Sequence, residues 1–122
     1  MAAPNLVNVS SIYGKTMGAA LSTTTTTSLL ANASGSNKLL KINSIIVSNV
    51  DGSNAADATI SWYNGTTDYR LARTVAFPAD STLVVIGKDA PIYLEENHSI
   101  RGGASAASDL EIVISYEELD DA

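Results

Sequence analysis

The chain has 122 residues, a net charge of −6, one histidine and no cysteine. That length points to one domain, able to bury roughly two-thirds of its unfolded surface without a disulfide or metal staple. The missing cysteines exclude thiolate metal sites and thiol nucleophiles, and the acidic balance argues against phosphate-backbone binding.

The charge is unevenly spread. Residues 1–60 carry three lysines against Asp51 and Asp57, whereas residues 61–122 carry four basic and eleven acidic side chains. No run approaches the ~20 apolar residues of a membrane-spanning helix. The opening residues lack a basic segment followed by an apolar core, so no secretory signal is expected. The Asn-X-Ser/Thr triplets at Asn8, Asn32, Asn64 and Asn97 then read as products of a Ser/Thr/Asn-rich composition.

Residues 1–12 read as an extended N-terminal arm or edge strand, with Pro4 disfavouring helix at Ala3. Gly14 and Gly18 argue against a helix over Tyr13–Ser22, since each costs about 1 kcal/mol there relative to Ala. Thr23–Thr27 is stiff at χ1 and favours extended backbone, as an edge strand or a linker. Ser28–Asn32 is a short apolar strand, and 32–37 is a Gly/Ser/Asn loop. Leu39–Val50 is the longest β-prone run. Its apolar residues fall on both faces, which predicts a central strand covered on both sides for part of its length.

Asp51-Gly52-Ser53-Asn54 is the strongest turn signal and reads as a hairpin. Ala58, Ile60 and Trp62 share one face of the next strand. Asn64-Gly65 is a second hairpin turn. Tyr69–Phe77 alternates until Pro78 breaks it. Short strands follow at Thr82–Ile86, Ile92–Leu94 and Ser99–Arg101. Leu110–Tyr116 closes the chain with Leu110, Ile112, Ile114 and Tyr116 on one face, the mark of a half-buried strand. The acidic residues 119–122 read as a loose tail.

Seven to nine short strands and no helical period predict an all-β fold, an antiparallel β-sandwich of jelly-roll or Greek-key type with an extended N-terminal arm. The expected division is an arm with edge strands over 1–35, a sandwich core over 36–118 and a tail over 119–122. Trp62 is the expected sandwich centre, with Ile60, Leu71, Val85, Ile112 and Ile114 around it.

No reactive constellation emerges. His98, in Glu95-Glu96-Asn97-His98, lacks the ligand spacing of a zinc site and reads as an exposed turn residue. The loop from Asp51 to Asp57 lacks the frame of a calcium hand. Glu95 with Glu96, and Glu117 with Glu118, point to opposite faces of a strand and make no carboxylate dyad. No serine lies in a Gly-X-Ser-X-Gly elbow. Gly102-Gly103 reads as a bulge or tight bend. The five tyrosines are candidates for a carbohydrate or protein contact face, with packing at the core edge the better fit. No enzyme, cofactor or metal site is expected.

The second half carries a resemblance. Phe77-Pro-Ala-Asp-Ser-Thr-Leu-Val-Val-Ile-Gly-Lys, Pro91-Ile-Tyr-Leu-Glu-Glu-Asn, Ser99-Ile-Arg and Ala104-Ser-Ala-Ala-Ser-Asp-Leu-Glu-Ile-Val-Ile-Ser-Tyr-Glu-Glu resemble small virion proteins of tailed bacteriophages, especially those of cyanobacteria and marine bacteria. The resemblance runs from about Val9 to Glu118 and is densest after Trp62. It implies a β-structured particle component, made in the host cytoplasm and placed in the virion. The small single domain and the extended arm favour a decoration or cement protein on the head exterior, with the major capsid protein and further copies of itself, as a homotrimer, for partners. No nucleic-acid or membrane partner is expected. The low charge of residues 1–35, whose one charged side chain at neutral pH is Lys15, marks them as the segment that engages the shell or a neighbouring copy. Within it, Leu6, Val7, Val9, Ile12 and Tyr13 are the candidate interface residues. A tail or neck component and a carbohydrate-binding module are the alternatives.

Overall fold

The computed structural model describes residues 9–87 and 89–121. They form nine strands: β1 (Val9–Ala20), β2 (Ser28–Ala31), β3 (Lys38–Asn49), β4 (Ala56–Tyr63), β5 (Asp68–Phe77), β6 (Thr82–Ile86), β7 (Ile92–Leu94), β8 (Ser99–Ala104) and β9 (Leu110–Asp121). One sheet runs β1-β9-β3-β6, with β7 beside the first half of β3; the other runs β2-β8-β4-β5. Every pairing is antiparallel. The chain changes sheet at each connection except β4 to β5 and β6 to β7. With β6 and β7 taken as one interrupted strand, that order is an eight-stranded jelly roll. The expected antiparallel β-sandwich is therefore what the chain forms.

β9 is the spine of the first sheet. Ile112 lies between Ala19 of β1 and Val47 of β3, and Ile114 between Met17 and Ile45. Leu110, Ile112 and Ile114 are fully buried, as are Ile42, Ile45, Val47, Ile60, Leu94 and Ile100 across the two layers. Each such side chain contributes about 1.5–3 kcal/mol of burial.

The mixed parity of β3 has a cause other than two covered faces. Its register with β9 steps between Ile42 and Ser44, leaving Asn43 as an extra residue. The inward set changes from Leu40 and Ile42 to Ile45 and Val47 at that bulge. β3 is central within its sheet, but the second layer covers one face only.

Four further expectations are corrected. Asp51–Asn54 forms a turn, in which the Asp51 carboxylate accepts the Ser53 amide at 2.9 Å. It joins strands in different sheets, however, so it closes no hairpin; Asn64-Gly65 does, between β4 and β5. Thr23–Thr27 is neither a strand nor a free linker. Its loop lies on Gly103, where a Cβ would fall 2.7 Å from the Thr24 carbonyl oxygen. The Ser22 and Thr27 carbonyls accept the Ala104 and Gly102 amides at 2.8 and 3.0 Å. Trp62 is not the centre, since it is half-buried at the margin of a core built from Ile and Leu. Residues 119–121 are not loose: β9 continues through Asp121, and Leu119 is buried between Ile12 and Leu39.

Candidate interaction surfaces

β1 and β2 edge the two sheets on one flank of the sandwich, and β5 with β6 and β7 edge them on the other. The inward residues of β1 follow period two. Ala19 and Met17 pack against the core. Below them Lys15 and Tyr13 emerge from it, and Tyr13 is 50% exposed. Ile12, on the opposite face, is 57% exposed. From Ser11 to Ala20 the pairing with β9 is unbroken, and among the described residues no strand pairs with the far edge of β1, which presents about ten residues of backbone in one straight run. Of the candidate interface residues, Leu6 and Val7 lie outside the described residues. Val9 opens β1 opposite Asp121, and its side chain lies outside the description. Ile12 and Tyr13 are thus the two whose surroundings are defined.

A charge cluster sits beside them. Glu118 of β9 accepts from the Lys15 ammonium at 3.2 Å and the Lys38 ammonium at 3.4 Å. Burial pushes its carboxyl up, but the two lysines outweigh that and hold it below the ordinary glutamate value. The same hydrogen bond, with the charge of Glu118 behind it, raises Lys15 above the ordinary lysine value. Lys41 and Glu117 make a looser pair at 3.9 Å on the outer face.

The opposite flank is closed where β5 approaches β6 and open where β7 replaces it. There a cleft of about 310 Å³ is lined by Trp62, Leu71, Ile92 and Tyr93, almost without polar surface. Tyr69, 53% exposed, stacks on Trp62 with ring centroids 5.7 Å apart. His98 meets Trp62 edge to face at 5.3 Å. His98 is not an exposed turn residue. It is buried, and its Nδ1 accepts the Glu95 amide at 3.2 Å. Its neighbour Glu96 is buried too and accepts the Asn37 amide at 2.6 Å. These groups hold loops together, and among the described residues no three His, Cys, Asp or Glu side chains gather as metal ligands.

Alternation names the inward face of β4 and β5 but not where β7 takes over from β6, so it does not locate the cleft. The cleft's one trace in the sequence is that Tyr69 and Tyr93 are among the five tyrosines read as core-edge packing or a contact face. A saccharide would find few hydroxyl partners in so apolar a lining. Compared with known proteins, the chain matches no family model and no curated protein.

Proposed function

We propose that this chain is a non-enzymatic virion structural protein, a decoration or cement protein that binds the outside of a head shell and stabilises it. The resemblance of its second half to phage virion proteins supports the reading. The observation that carries it is β1: a long, nearly uncharged edge strand that no other strand covers among the described residues, on a well-buried jelly roll with Ile12 and Tyr13 exposed beside it. Monomeric proteins usually blunt such an edge. Contact with the shell falls at the end of the sandwich where β1 begins and β9 finishes.

The test adds purified protein to shells that lack it and measures co-sedimentation. Deleting residues 2–12 should abolish binding while the fold survives, since residues 13–20 keep their pairing with β9 and every core residue remains. Unchanged binding by the shortened chain overturns the reading. So does a count of only a handful of copies per particle, which belongs to a neck or tail.

A further inference from the structure

The two flanks differ in shape and lie close in height. Along the first sheet, Tyr13, Glu118, Leu40 and Leu94 share one rung. Gly14, Glu117, Lys41 and Tyr93 share the next, and Lys15, Tyr116, Ile42 and Ile92 the one after. Tyr13 on the β1 edge therefore stands level with Leu94 on the far edge, one rung from Tyr93 and two from Ile92 in the wall of the cleft. One flank carries exposed apolar side chains beside an open strand edge; the other carries an open apolar hollow. We propose that Tyr13 and the β1 edge of one copy dock in the Trp62–Leu71–Ile92–Tyr93 cleft of the next, a head-to-tail contact between copies of this chain.

A second copy suits the cleft for three reasons. The levels differ by no more than two rungs, roughly 7 Å along the strands and within the reach of a tyrosine side chain, so a rotation about an axis nearly along the strands brings knob to hollow. The charges of the β1 patch are also tied to one another rather than free to enter an apolar site, because Glu118 is hydrogen-bonded to both Lys15 and Lys38. Moreover, the aromatic lining is of the kind that carries most of the affinity at protein interfaces. Because the two surfaces are unlike, the contact is heterologous, and it closes into a ring when the rotation between neighbours is a whole fraction of a turn. This deepens the reading above by naming the surfaces through which copies of the decoration protein meet.

The test is the mass in solution, by sedimentation, of the full chain without shells. The wild type should form a closed oligomer. Tyr13→Ala and Tyr93→Glu should each sediment as monomers, their dissociation constants raised by roughly thirtyfold or more. Both side chains are well exposed, so thermal unfolding should stay near wild type, and Tyr13→Phe should still assemble. Mixed in equal amounts, the two variants should give a dimer and nothing larger, because one copy keeps the cleft and the other keeps the tyrosine. A monomeric wild type, or a mixture without dimer, overturns the proposal. Full assembly of Tyr93→Glu overturns it too, since that result marks β1 pairing with β1. Rings that ignore shells would overturn only the shell reading, and monomers that bind shells only this one.

Discussion

β1 and β5 are both long outer strands, one at the edge of each sheet, and they are finished differently. β5 carries Arg70 and Arg73, and its register with β4 shifts twice, between Ala58 and Ile60 and again between Ile60 and Ser61. Thr74 sits at φ 46° in the left-handed region, with its amide held by the Thr59 hydroxyl at 3.0 Å. For a β-branched residue that backbone is strained. Charges, bulges and a bent backbone are how a sheet edge is kept from recruiting another strand. β1 has none of these between Ser11 and Ala20 except Lys15, and Lys15 is turned inward to Glu118. The same fold thus protects one edge and leaves the other ready for use. Stability does not explain the contrast, because both strands hang on one core.

That last statement can be broken by mutation, and the effect would be the largest here. Ile114 lies next to β1, opposite Met17; Ile60 lies next to β5, opposite Ala72; both are fully buried. Ile114→Ala and Ile60→Ala should each cost about 2–5 kcal/mol. Urea unfolding should show single transitions of equal slope for both variants. A biphasic curve for either would mean that one sheet unfolds alone, and the edges would then differ for reasons of local stability.

A mid-sized effect concerns assembly rather than folding. Arg73 forms no ion pair among the described residues, and Arg70 donates only to the Asp68 carbonyl at 3.2 Å. Replacing both with valine should leave unfolding within about 0.5 kcal/mol of wild type. Light scattering should nevertheless rise steeply with concentration, as β5 becomes a second sticky edge. A variant as soluble as the wild type would show that the bulges alone guard β5, and the contrast with β1 would rest on backbone shape.

The sequence made the strands themselves readable, because alternation over Leu110–Tyr116 or Ala58–Trp62 reports directly on one covered face. It could not report what alternation does not encode. Asp51–Asn54 announces a turn, but turn chemistry does not say which sheet the next strand joins. The threonine run favours extended backbone, yet a strand also needs a neighbour, and here the chain spends those residues covering Gly103. The bulge at Asn43 shifted parity in a way that mimics a strand covered on both faces. His98 is buried by contact with Trp62, far away in sequence. At the candidate surfaces, the low charge of residues 1–35 singles out Ile12 and Tyr13 without saying how exposed they are, whereas the cleft is assembled from β4, β5 and β7 and needed the topology.

The smallest expected effect lies in the charges that let β1 end cleanly. The Glu118 carboxyl is held below its ordinary value in the folded protein, so folding favours its ionised form. Its contribution is complete above the unfolded glutamate pKa of about 4.3 and disappears as pH falls through the lower folded value. Lys15 acts in the opposite sense. Its pKa is raised, so its share is present below about 10.4 and is lost as pH climbs through the higher folded value. Because the lysines are substantially exposed, the Glu118 contribution at neutral pH should be no more than about 1 kcal/mol. Comparing urea midpoints of wild type and Glu118→Gln isolates it. The gap should be widest at pH 7 and close as the solution is taken below pH ~4. A gap that persists undiminished in acid would mean that Glu118 acts by packing beside Tyr13, and that the β1 edge owes nothing to its charge.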